Sequence, residues 1–375
     1  MQVAIDAADF TPADADLLRR AMGAKRSARA MERLRERFFT GADTNGIPRE
    51  TAETIFEQVQ AFSNYGFPES HAHSFAHLVY ASAWLKHYYP AAFCTGLLRA
   101  QPMGFWSPQS LITDARHHGV QILGPDINHS TTEATLEPHP TSRDHRAIRL
   151  GLSGIRNVGD THADHIVTER RANGFYRDLN DFLARIGTYL PRGEREALAT
   201  AGAFDTLVPN RREALWSVGH PAHNQPDLDA SITAPALRGL DPIETAHADL
   251  WATGITPDQH PIAHYRPQLD QAGVIPVAQV ASQADKTIVR VAGLITHRER
   301  PGTAGGILFL NLEDETGMTN ILINPRVAER HARALQHNAI QIRGQLQAAN
   351  NTHTLIARHI SPLPIALPTE SRDYR

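Results

Sequence analysis

Cysteine is almost missing from these 375 residues: Cys94 stands alone, so no internal disulfide can form and the chain suits a reducing compartment. It lies in a helical apolar pattern, PAAFCTGLL, which marks a buried, inert thiol. There is no surplus of either charge; the net value of −3 removes whole-chain attraction to nucleic acid as an argument. No apolar stretch approaches the roughly 20 residues that span a bilayer, and the N-terminus carries no basic-then-apolar leader. The expectation is a cytoplasmic protein without a membrane partner. Motifs of nucleotide and acyl chemistry are absent too: no P-loop, no dinucleotide fingerprint, no nucleophile elbow. Carboxylates are scattered. Asp14 and Asp16 have Asp-x-Asp spacing, but they fall in the first turn of a helix, where they complement its dipole. A two-metal phosphoryl-transfer centre cannot be assembled from them. His71, His73 and His77 lack the Cys partners or HExxH context of zinc sites, so they are expected to be solvated or packing residues. No catalytic residue and no metal ligand is assigned.

What is present begins at the C-terminal end. Thr287–His297 alternates with Val289, Val291, Gly293 and Ile295 on one side. Ile307–Glu313 follows with Leu308, Leu310 and Leu312 inward, then a DETG turn and a strand at Met318–Ile323. A helix over about Arg326–Leu335 and strands at Ala339–Leu346 and Thr354–His359 complete the set. Three strands, a helix and two strands is the layout of the OB-fold, a small barrel that often grips oligonucleotides. Phe309 occupies an outward position beside Asn311, a platform for a base. The ring can equally pack on a neighbouring domain, and both readings stay open. Arg290 and Arg343 point outward by the same alternation and suit phosphates. Charge distribution agrees: Ser217–Asp285 holds two basic and eight acidic residues, whereas Lys286 onward holds eleven basic and seven acidic.

The second informative stretch is GLSGIRNVGDTHADHIVTER, Gly151–Arg170. Gly154-Ile155-Arg156-Asn157-Val158-Gly159 forms a tight turn before a helix that Asp160 or Thr161 is expected to cap. Backbone amides at such a helix start bind phosphate oxygens. Glycine permits close approach and positive φ, and Asn157 tolerates the left-handed region. This is the physics of the helix–hairpin–helix, which holds DNA without reading its sequence. Leu190–Leu207 is either a degenerate second copy or a plain helical hairpin; its poor glycine turn favours the latter.

The expected fold class is multidomain and mainly α, closing on an all-β OB barrel. The predicted division is a helical portion (1–130), a polar linker (131–146), a helix–hairpin–helix domain (147–219), an acidic connector (220–285), the OB-fold (286–361) and an extended tail (362–375). Thr11 as N-cap with Pro12 at the first helical position opens one N-terminal helix. A turn is expected at Asn64–Pro68 and a loop at Pro221–Pro235, which is poor in apolar residues.

The stretch Tyr65–Leu98 resembles the fingers of bacterial C-family DNA polymerases, the polymerase III α group. FPESHA (Phe67–Ala72), Trp84-Leu85-Lys86, Tyr89-Pro90 and QPMGF (Gln101–Phe105) are similar to the error-prone branch. So are DINHS (Asp126–Ser130), AGAFD (Ala201–Asp205), Ala252-Thr253-Gly254, His260-Pro261, RPGTA (Arg300–Ala304), LEDETG (Leu312–Gly317) and Ser371-Arg372-Asp373. The collinear resemblance covers essentially the whole chain. His73, His77 and Asn157 depart from the family pattern. The resemblance implies a helical fingers remnant from an error-prone DNA polymerase for translesion synthesis. It also implies that this chain starts inside that protein, without the PHP and palm domains. The palm aspartates that would hold Mg²⁺ have no matching positions, so the chain is expected to bind primer-template and single-stranded template yet to be inactive alone. Partners implied by the branch are an inactive Y-family-like protein and a RecA-like accessory factor. The competing expectation is a non-enzymatic DNA-binding or partner-docking module.

Overall fold

The computed structural model describes residues 2–23, 28–64, 69–104, 106–219, 234–302, 304–349, 352–363, 365 and 372–374. They form two compact units, residues 1–82 with 299–308, and residues 83–298 with 309–374. All but Asn64 of the expected turn at Asn64–Pro68, and residues 221–233 of the expected loop at Pro221–Pro235, lie outside the described residues.

The first unit contains α1 (Gln2–Ala8), α2 (Pro12–Gly23), α3 (Ala28–Thr44) and α4 (Arg49–Asn64). Phe10, Leu18, Phe38, Phe39 and Phe56 fill its core, with edge-to-face ring contacts at about 6 Å. Thr11 caps α2 as expected: its hydroxyl accepts from the Asp14 amide at 3.2 Å, while Asp14 accepts from the Thr11 amide at 3.1 Å. Helix α5 (Glu69–Tyr88) then spans the division between the units. Its apolar residues, among them Phe75, Leu78, Val79, Tyr80 and Trp84, are spread around the helix and not gathered on one face, a pattern that belongs in a protein interior. Yet from His73 to Tyr88 every side chain except half-buried Lys86 is exposed.

In the second unit α6 (Pro90–Arg99) and α7 (Pro108–His117) pack on a small sheet of β1 (Ile122–Leu123), β2 (Thr135–Pro138) and β3 (Arg146–Arg149). Cys94 is buried there, its thiol pushed up to about 12 by desolvation. The expectation of a linker at 131–146 is therefore corrected. Thr135–Pro138 is an edge strand with a solvated face, so its composition looks like loop. Pairing makes it a strand: Leu136 opposes Ile148, and Arg149 grips Glu137 with bonds of 2.9 and 3.0 Å.

Helices α8 (Gly159–Asn173), α9 (Leu179–Ile186), α10 (Arg192–Thr200) and α11 (Arg211–Gly219) surround a core that includes Ile155, Val158, Ile166, Tyr176, Phe182 and Phe204. The DINHS turn locks this core. Asp126 accepts from the Asn128 and His129 amides at 2.7 and 2.9 Å and from the Thr206 hydroxyl at 2.8 Å. Buried Arg170 donates to the carbonyls of Ile127 and Ser130. Leu190–Leu207 is a plain helical packing element whose Leu198 and Phe204 are fully buried.

The acidic connector is mostly structure. Helix α12 (Pro242–Thr253) starts with an Asp241/Glu244 capping box and meets the helical core through Ala252 and an Arg211–Asp249 pair at 2.6 Å. A 3₁₀ turn (Pro261–Tyr265) and α13 (Arg266–Gln271) pack Ile262 and Leu269 on Ala292 and Leu294 of the barrel.

The barrel runs β4 (Ile288–Glu299), β5 (Leu308–Asp314), β6 (Gly317–Ile323), α14 (Pro325–Arg330), β7 (Ala339–Ala349) and β8 (Thr352–Pro362). Strand order β5-β6-β8-β7-β4, with β4 also pairing β5, is the OB closure. All the inward positions expected on β4 and β5 are buried. The helix is shorter than expected; Ala334–Gln336 is a 3₁₀ turn. In the tail, β9 (Arg372–Tyr374) adds beside β4. Closure needs Gly293: a Cβ there would lie 2.4 Å from the Glu313 carbonyl oxygen. Gly293→Ala is expected to destabilise the second unit by about 1–3 kcal/mol, read as a lowered midpoint in urea monitored by circular dichroism.

Candidate nucleic-acid interface

Ile155 and Val158 are buried anchors, and between and beside them Gly154, Arg156, Asn157 and Gly159 are exposed. Asn157 (φ 66°) and Gly159 (φ 62°) both take the left-handed conformation, as a tight turn requires. Helix α8 then starts two or three residues earlier than expected, with Val158 in place of Asp160 or Thr161 at the N-cap. Neither Asp160 nor Thr161 caps it: both sit inside the first turn, and Val158 at the N-cap offers no side-chain bond. The amides of Gly159, Asp160 and Thr161 consequently have no acceptor among the described residues. Uncapped amides at an exposed helix start have the geometry that suits an anion, and the exposed Asp160 carboxylate in the same turn opposes one. The Arg156 amide is already committed, donating to the Ala252 carbonyl at 2.7 Å. Its guanidinium lies over the Trp251 ring at 4.8 Å.

The barrel residues behave differently. Phe309 and Asn311 lie on the outward side of the β5 alternation, as expected, and are half-buried there. Thr296 Oγ1 donates to the Asn311 carbonyl, and Gly293 abuts Glu313; this antiparallel register carries Phe309 toward residue 298. Arg290 and Arg343 are exposed direct partners across β4 and β7, and Arg290 donates to the Ala272 carbonyl at 3.1 Å. Eight residues of strand, on the order of 25 Å, separate them from Phe309. The three do not form one site. The outward face of β4 is not free either, because the connector covers Ala292 and Leu294.

Sequence reasoning missed the cleft that does join hairpin and barrel. A cavity of about 430 Å³ is lined by Ser107, Gly154, Arg156, Trp251, Thr296 and Glu313, among others. Trp251 lies immediately before the Ala252-Thr253-Gly254 motif, and that adjacency was the only, weak, signal the sequence offered. Below the cleft, Glu313 and His260 are buried with Nε2 and Oε1 3.9 Å apart. Burial pushes Glu313 up to about 7 and His260 down to about 3, so the imidazole is neutral and the contact is dipolar. The His260 Nδ1 accepts from the Ile262 amide, and Ser110 donates to Glu313. Among the described residues no group of three or more His, Cys, Asp or Glu could hold a metal ion; the Mg²⁺ implied by the resemblance has no fitting ligand set here.

Three family models match. The bacterial DNA polymerase III alpha subunit finger domain covers residues 1–46, the helix-hairpin-helix motif 119–214, and the OB-fold nucleic acid binding domain 289–363. Curated relatives match over the full chain. An error-prone DNA polymerase of Mycolicibacterium paratuberculosis is 49% identical over 381 residues, one of Mycobacterium tuberculosis 48% over 382, and one of Nocardia farcinica 47% over 389. The chain spans 34%, 34% and 33% of their respective lengths, about a third in each case.

Because the folded Glu313 carboxyl lies above its ordinary 4.5, its protonated form favours the fold. That stability is full below about pH 4.5 and is lost as pH rises toward 7. Neutral His260 acts with the opposite slope, losing stability as pH falls below 6.5. Glu313→Gln should therefore gain relative to the parent between pH 5 and pH 8, on the order of 3 kcal/mol. Thermal melts across that range check it; a pH-independent difference would contradict the buried acid.

Proposed function

We propose that this chain, homologous over its full length to the C-terminal third of error-prone DNA polymerases, supplies DNA binding and positioning to damage-tolerant synthesis and not the catalytic metals. The observation that carries this reading is the row of acceptor-free amides at Gly159–Thr161, exposed beside Arg156. Duplex phosphates sit on those amides without sequence readout. The barrel takes single-stranded template. The parent reaction adds dNMP to a primer 3′-end with Mg²⁺ bound by palm aspartates, and nothing in the described residues substitutes for them. Arg290 and Arg343 remain candidates for a separate phosphate contact on the barrel, and Phe309 with Asn311 for a minor one. Cytoplasmic placement fits; no helix of the described residues is long and apolar enough to cross a membrane.

One observation favours a second reading, partner docking. Phe75, Leu78, Val79, Tyr80 and Trp84 are 43–74% exposed on α5, an apolar surface that a protein would cover. The remaining polymerase, the inactive Y-family-like protein and the RecA-like factor are the partners proposed for it. Such a contact should be nearly indifferent to salt, whereas DNA contacts weaken steeply.

Thr161→Glu tests the hairpin without harming the helix, since an acidic residue in the first turn suits the dipole. It is expected to weaken binding of primer-template by about tenfold, with an unchanged melting temperature, by fluorescence anisotropy at low and high salt. Unaltered affinity would remove the amide site from the account. The purified chain should show no Mg²⁺-dependent primer extension, and extension would overturn the assignment.

A further inference from the structure

The cleft between hairpin and barrel has one aromatic wall. Trp251 is 39% exposed there, with the Arg156 guanidinium on its ring. Gly154 of the hairpin, Ser107 and, from the barrel, Thr296 share the lining with it. A half-exposed indole is uncommon on a surface with nothing to stack on, and this one opens on a concavity beside an arginine and the exposed hairpin turn. We propose that this cleft is a single-strand site in which an unpaired DNA base stacks on Trp251, with Arg156 and the adjoining hairpin amides taking the flanking phosphates.

The inference rests on the DNA-holding reading above and deepens it by naming the strand and its residues. A volume of about 430 Å³ lies within the range of pockets for small planar ligands and admits about one or two unpaired bases. Stacking accepts any base, which suits template that must be held whatever its sequence or damage. Arg156 bridges the two functions. Its backbone is tied to Ala252, the residue after Trp251, so the hairpin turn and the indole keep a fixed separation. The carboxyl at the cleft floor, Glu313, is buried, and burial raises it to about 7, which lessens its repulsion of an anionic strand.

The test uses the full chain with a fluorescent oligo-dT and a duplex of equal length. Trp251→Ala should weaken oligo-dT binding about 5- to 150-fold and leave duplex affinity within about twofold. Trp251→Phe should restore most of the single-strand affinity, which a purely structural role would not require, and melting temperatures report folding of each variant. If Trp251→Ala folds and binds oligo-dT like the parent, the site is overturned. Equal loss for oligo-dT and duplex overturns it too, since Trp251 would then act only by holding Arg156. Thr161→Glu weakening duplex while Trp251→Ala changes nothing sinks this inference alone. Failure of the unaltered chain to bind either DNA sinks both.

Discussion

The geometry of the second unit depends on one buried ion pair, Arg266 with Asp314. The Arg266 guanidinium donates to Asp314 at 2.9 Å and to neighbouring Glu315, and Asp314 is wholly buried. Asp314 spends its remaining lone pairs on the Val277 amide and on the amide and hydroxyl of Thr316. A buried pair is worth little unless its polar atoms are hydrogen-bonded; each oxygen of Asp314 is satisfied, whereas the Arg266 Nη1 has only the Asp270 carboxylate at 3.8 Å. The pair fastens α13 to the β5–β6 turn. At the other end of the same segment α12 is held by Arg211–Asp249 and by the Arg156 amide. A stretch that composition marks only as acidic thus sets the distance between hairpin and barrel.

Much of the architecture was legible in the sequence because it follows from short-range rules. Alternation placed Val289, Val291, Leu310 and Leu312 inside the barrel, and Thr11 with Pro12 announced α2. What escaped has a common physical cause: it depends on partners distant in sequence. Thr135–Pro138 becomes a strand only by pairing with β3. Ala292 and Leu294 fall on the outward face by alternation, yet Ile262 and Leu269 bury them from outside.

The site divides along the same line. The hairpin's backbone conformation was legible in Gly154–Gly159, including the positive φ of Asn157, because turn chemistry is local. Its missing cap was not, since the start of α8 shifts by the left-handed residues before it. Phe309 was assigned from alternation alone, which tells side from side but not how deep a ring sits or how far it lies from Arg290 and Arg343. Trp251 carried no local signal of strength; its place beside Arg156 exists only after α12 docks.

Helix α5 has a consequence for the life of the chain in a cell. An uncovered helix of that composition is what chaperones capture and proteases recognise, and it promotes clumping at high concentration. Abundance of this polypeptide should then track the supply of whatever shields the helix. Turnover would clear the excess, keeping the amount of the polypeptide in step with its assembled form.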